Sequence, residues 1–285
     1  MIGSGIKKEM MLFSRGFRLF GTIAVIIGLA LSYPLMYKFM EIMAEQMSAM
    51  GQELGGEAGS QVTEAVNSMN GMIESIKAMY GGSMANVGFR TGLSSLASTG
   101  FLIVSLLLMS AAGGEQKKRS VIIPNCSGLT PVGYVLPKFI IYPVLITIIT
   151  FGGSMLTAGI CNLIFDNPLI MQDALISSAC VSVFVMFMIS LYLLLGLSTG
   201  RPGISVIILF AASSLLPLLL QSMNINKYNP FALQDLLMYS YAEIDMNNFV
   251  LSVVVSVVLS VICCLLSLMI TTLRKIDNSV GEANL

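Results

Sequence analysis

Residues 249–273 read FVLSVVVSVVLSVICCLLSLMITTL, and no charged side chain interrupts them. Sixteen of the 25 are Phe, Val, Leu or Ile. At roughly −0.3 to −0.6 kcal/mol each near a helix centre, they contribute about −5 kcal/mol or better to insertion, whereas one central charge costs about +3 kcal/mol. The run also has the ~17–25 residues that a bilayer-spanning helix needs. It reads as a transmembrane helix, and it decides the class of the chain.

Working outward, five more runs of the same kind precede it. The six spans are Phe17–Tyr37, Leu93–Ala112, Phe139–Ile164, Ala174–Leu197, Ile204–Leu220 and Phe249–Leu273. No Asp, Glu, Lys or Arg lies in the apolar core of any of them, so each inserts without a charge partner. The fifth is the shortest and holds Pro217, which predicts a bend or a re-entrant end. Only 11% of the 285 residues are charged, against about 25% in an average soluble domain. The chain is therefore expected to be one all-α polytopic membrane domain, 1–285, with six transmembrane helices.

Charge position sets the orientation. With the N-terminus in the cytoplasm, eleven basic residues fall inside: Lys7, Lys8, Arg15, Arg18, Lys117, Lys118, Arg119, Lys138, Arg201, Arg274 and Lys275. Four fall outside: Lys38, Lys77, Arg90 and Lys227. This positive-inside bias predicts cytoplasmic N- and C-termini.

Ahead of the first span, residues 6–17 predict an amphipathic helix on the membrane surface. Ile6, Met10, Phe13 and Phe17 recur at helical spacing on one face, with Lys7, Lys8, Arg15 and Arg18 gathered opposite. A signal peptide also begins with a basic segment and an apolar run, but no small-residue cleavage pattern follows this one.

The external loop 38–91 predicts a helical hairpin. Met36, Met40, Met43, Met47 and Met50 carry the first span outward, with Gly51, Gly55 and Gly56 ending that helix. A second pattern, Val62, Val66, Met69, Ile73, Ile76 and Tyr80, closes at Gly81-Gly82. Thioethers at this spacing could hold Cu(I), but with no His in the chain, helix packing or a soft substrate surface is the simpler account. Farther on, Asn229-Pro230 followed by Phe231, Leu233 and Leu236 predicts a small capped helix over the outer mouth.

Several chemistries are absent. No Gly-Lys dipeptide exists, so there is no Walker A loop, and GxGxxG, HExxH and CxxC do not occur. The lack of His removes the commonest general base and metal ligand. Four of the five cysteines, Cys161, Cys180, Cys263 and Cys264, sit in apolar runs, and Cys126 lies in the central loop, so no disulfide framework is implied. Net charge is zero, which gives no electrostatic case for nucleic acid. Neither an enzyme nor a cofactor of its own is expected.

The longest inside loop, 113–138, reads GGEQKKRSVIIPNCSGLTPVGYVLPK. Thr130-Pro131 is a helix start, hydroxyl N-cap then proline at N1, and the short helix Pro131–Leu136 is expected to stop at Pro137. Glu115, Arg119-Ser120, Val121-Ile122-Ile123, Leu129-Thr130-Pro131 and Lys138 follow the order of the cytoplasmic loop of ABC-2-type permeases, the membrane subunits of one class of ATP-binding cassette transporter. In outline the whole chain resembles that family, from the interfacial helix through six spans to the Asn-Pro-apolar segment before the last. It departs in Pro124, Pro137 and its long first external loop.

The resemblance implies a cell-membrane permease that pairs with a second permease chain and with an ATP-binding cassette ATPase subunit. ATP would be hydrolysed by that partner, not by this chain. It implies coupling through Thr130, Pro131, Tyr134, Val135 and Lys138, with Tyr134 and Val135 in the ATPase groove and Glu115 and Arg119 at its rim. Lys117, Lys118 and Arg119 also have the plainer roles of fixing topology and attracting anionic lipid. Neutral span interiors suit a hydrophobic or amphipathic cargo. A non-transporting scaffold or sensor and a self-sufficient secondary carrier are the alternatives.

Overall fold

Backbone polar groups in a bilayer must find partners within the chain, which restricts spanning structures to helices and closed barrels. The computed structural model describes residues 2–15, 17–54, 56–114, 130–222, 230, 231, 233 and 246–283. Among these the architecture is helical, with no strand. In chain order the helices are α1 (Ile2–Arg15), α2 (Phe17–Leu54), α3 (Gly56–Met79), α4 (Met84–Ser95), α5 (Phe101–Leu107), α6 (Pro131–Ile164), α7 (Met171–Thr199), α8 (Pro202–Ser222) and α9 (Met246–Ala283). A π-helical turn, Leu96–Gly100, joins α4 to α5, and another, Ser110–Gly114, follows α5.

Five stretches are long and apolar enough to cross a membrane: Phe17–Glu53, Met84–Leu107, Pro131–Ile164, Met171–Thr199 and Val250–Leu273. A shorter apolar stretch, Pro202–Ser213, belongs to α8, which continues past Pro217 to Ser222 as 21 residues of unbroken helix. Their outward faces are apolar, as lipid requires. On α9, Val254, Val258, Val261, Leu265 and Met269 are exposed. Its other face buries Ser252, Ser256, Ser260, Cys263 and Ser267 against the bundle, small side chains that let helices approach closely. Ser256 and Ser260 donate to the carbonyls of Ser252 and Ser256, so these hydroxyls need no outside partner.

At the centre, α7 packs on α6, α8 and α9 and buries Phe184, Met188, Ile189, Tyr192 and Leu193. The second span enters earlier than its hydropathy predicts, at Met84 rather than Leu93. Ser83 caps it by accepting from the Asn86 N–H at 3.2 Å. Gly81 and Gly82 close α3 with φ of 88° and 83°, as the Gly-Gly pair predicts. Gly51 does not end α2: the helix passes through it to Leu54, and Gly51 lies where α3 brings Val62 and Thr63 close.

One further expectation is corrected. The helix from Pro131 does not stop at Pro137 but continues as α6 to Ile164, one element from the loop through the third span. In α1 the inward face carries Glu9 and Phe13, while Met10 is exposed; Phe17 is the first residue of α2 and is 79% exposed. Of the expected apolar stripe, Phe13 packs against the bundle and Met10 and Phe17 stay on the outer surface. Of the predicted segment after Asn229-Pro230, Phe231 and Leu233 are described. Both are buried, and Phe231 meets Phe184 and Phe187 of α7 edge-on, at 5.9 and 6.1 Å between ring centroids. Asn229 and residues 234–245 lie outside the described residues.

Candidate functional site

The first turn of α6 is built as its sequence predicts. The Thr130 hydroxyl accepts from the Gly133 N–H at 3.2 Å, and Pro131 stands where a missing N–H costs nothing. Pro137 then removes the donor that the Gly133 carbonyl needs, which ordinarily breaks a helix. Here α1 lies across that weak point. A side chain on Gly5 would meet the Pro137 ring at 2.7 Å and the Gly133 carbonyl at 3.0 Å, so only glycine allows this approach. The proline is covered rather than exposed, and the helix runs on.

One turn farther, α1 and α6 exchange charge. Glu9 lies 3.3 Å from Lys138 through one carboxylate oxygen and accepts the Tyr142 hydroxyl at 2.8 Å through the other. Lys138 is fully buried, Glu9 is 3% exposed, and the Lys138 ammonium sits 4.9 Å above the Tyr134 ring. Phe13 packs edge-on to Tyr142 at 5.8 Å. Arg18, in the first turn of α2, donates to the Tyr142 hydroxyl at 3.1 Å and to the Ser110 hydroxyl after α5. Four segments are thereby tied at one end of the bundle. Every charge in the joint has an opposite charge or a hydrogen bond, which removing water from such groups demands.

The expected coupling residues divide accordingly. Thr130 and Pro131 form the capped entrance to α6, and Thr130 is exposed. Tyr134 and Val135, expected to face a partner groove, are buried within this chain, and Val132 is exposed instead. Lys138 is the cationic half of the joint. Glu115 and Arg119 lie outside the described residues. Glu9, Arg18, Ser110 and Tyr142 were missed by the sequence reading. The available signal was Glu9 itself, the lone acid in α1, four residues from Phe13 and four from Gly5.

Beside the joint, the turn after α5 closes directly on α7. Gly113 has φ of 119°, and a Cβ there would run into the Gly196 carbonyl; a Cβ on Gly196 would run into that of Ala112. At the opposite end of the bundle, Arg90 of α4 lies 3.0 Å from Asp173 in the first turn of α7. Arg90 is buried in the second-span helix, so the loop expected over 38–91 ends before it.

No protein-family model, no curated protein and no solved structure matches this chain. The class is set by the fold: a helical, membrane-embedded protein. Among the described residues its buried charges, Glu9, Lys138 and Arg90, fall at two inter-helix ties, one at each end of the bundle.

Proposed function

We propose that the chain is the permease subunit of an ATP-driven ABC-2-type export transporter. It would cross the cell membrane six times, with α8 as the fifth span, both termini in the cytoplasm and α2–α3 as an external hairpin. A second permease chain and a separate ATPase subunit complete the transporter. The observation that carries this reading is the Glu9–Lys138 tie. It joins α1 to the first turns of α6, directly after residues 115–129, and Arg18 of α2 donates to Tyr142 beside it, so a push on that entrance would move the first and third spans together. Among the described residues the buried charges, Glu9, Lys138 and Arg90, are each engaged in a helix tie rather than set along the centre as a proton or sodium relay. Energy from a docked ATPase fits better. The exposed entrance residues Thr130 and Val132, with Glu115 and Arg119, form the proposed docking edge. Neutral span faces suit a hydrophobic or amphipathic cargo.

The test is copurification with an ATPase subunit from the native membrane. The wild-type chain retains it, and Val132→Glu, on an exposed position, loses it while keeping a wild-type elution profile. Ion-gradient-driven uptake into vesicles holding only this chain would instead establish a secondary carrier. A scaffold reading draws on the exposed Met43 and Met50 of α2 and Met72 and Met79 of α3. It predicts that deleting 51–82 abolishes partner capture and leaves transport unchanged.

A further inference from the structure

The burial of Glu9 changes the surface of α1. Residues 2–15 contain one acid, Glu9, and three bases, Lys7, Lys8 and Arg15. The acid is withdrawn against Lys138 and Tyr142, and all three bases are exposed. The outward surface of this helix therefore carries only positive charge. At 3.6 residues per turn, Lys7, Lys8 and Arg15 stand roughly 120–140° around the helix from the Glu9–Phe13 face. Lys8 and Arg15, seven residues apart, are nearly in line. Exposed Met10 and Leu12 flank this basic face on either side, between it and the face packed on α6.

We propose that this face of α1 binds the headgroups of anionic phospholipids in the leaflet where it lies. Three bases supply the charge complement to lipid phosphates, and their long stems reach along an interface from a helix held at its edge. The methionine and leucine flanks suit the upper acyl region. Arg18 is not part of this face, because Tyr142 and Ser110 already hold its guanidinium. The joint with α6 fixes the rotation of α1, so the bases are presented rather than free to turn inward. The assignment requires only that the chain is membrane-embedded and stands apart from any transport role.

The experiment uses the purified full-length chain in neutral detergent with labelled phosphatidylglycerol or phosphatidylcholine. The wild-type protein is expected to retain phosphatidylglycerol preferentially. The variant Lys7→Gln/Lys8→Gln/Arg15→Gln is expected to lose most of that preference, on the order of 100-fold in apparent affinity from three surface bases. Lys38→Gln/Lys77→Gln, on α2 and α3, is expected to keep it. Should the triple variant fail to purify, the wild-type preference must still collapse in about 1 M salt, where screening is nearly complete beyond a few ångströms. Equal retention of both lipids, a preference that survives the triple substitution, or one indifferent to salt overturns the proposal. Displacement of phosphatidylglycerol by millimolar inorganic phosphate overturns it too, because the face would then be a phosphate site and not a lipid surface.

Discussion

Glu9 and Lys138 form a buried ion pair across 3.3 Å, joining the N-terminal helix to the entrance of α6. Neither charge reaches water, so the pair behaves as a unit. Removing one member leaves the other desolvated and uncompensated, at about 3–5 kcal/mol, whereas replacing both with neutral groups of similar volume is often close to neutral. Lys138→Met is therefore expected to lower the thermal midpoint of the protein in detergent sharply. Glu9→Gln/Lys138→Met should recover most of that loss. A double variant no more stable than Lys138→Met would show that the two side chains do not act together.

The approach of α1 to α6 depends on Gly5. A methyl group there must displace either the Pro137 ring or the Gly133 carbonyl. Overpacking of this kind costs about 1–3 kcal/mol, and Gly5→Leu should cost more than Gly5→Ala. Pro137→Ala in the same chain takes away the nearer obstacle and restores a donor for Gly133. The double variant Gly5→Ala/Pro137→Ala is thus expected to be more stable than Gly5→Ala alone, read as the unfolding midpoint.

What could be read from the sequence was local, and what escaped was not. The Thr130-Pro131 helix start and the Gly81-Gly82 closure involve neighbours, so their residues were enough. The apolar runs also needed no partner to be seen. Pro137 misled because its tolerance rests on Gly5, on another helix. The packed face of α1 is illegible for a related reason. Amphipathic spacing puts Met10, Phe13 and Phe17 on one face, but it does not show that Glu9 turns inward to meet Lys138. Tyr142 lies 133 residues from Glu9, and no periodicity links them. The entrance residues Tyr134 and Val135 were correctly placed on a helix start but assigned outward, since only tertiary contact tells which side α1 covers.

Gly113 and Gly196 make one close contact between the turn after α5 and the end of α7. Gly113→Ala must hold an alanine at φ of 119° as well as enter the Gly196 carbonyl, and Gly196→Ala must enter the Ala112 carbonyl. Left-handed backbone costs an L-residue roughly 1–2 kcal/mol before any clash is counted. Both variants are expected to lose at least about 2 kcal/mol, since overpacking adds its own cost. Because each separates the same two segments, the double variant should lose less than the sum. Additive losses in denaturation midpoints would mean that the two glycines serve separate contacts.

Arg90 and Asp173 hold the opposite end, where α4 meets the start of α7 at 3.0 Å. The pair is asymmetric: the Arg90 side chain is 2% exposed, while that of Asp173 is 17% exposed. That asymmetry predicts unequal single variants. Asp173→Asn removes the countercharge of a buried guanidinium, expected to cost up to about 3–5 kcal/mol. Arg90→Met removes the countercharge of a carboxylate that water already reaches, and it should cost less. The double variant Arg90→Met/Asp173→Asn should be more stable than Asp173→Asn alone, with a coupling within the ~0.5–3 kcal/mol seen for residues in one network. The cycle is read from unfolding midpoints of the four purified proteins. Equal losses from the two single variants would contradict the burial asymmetry, and a vanishing coupling would remove the pair as a tie between these helices.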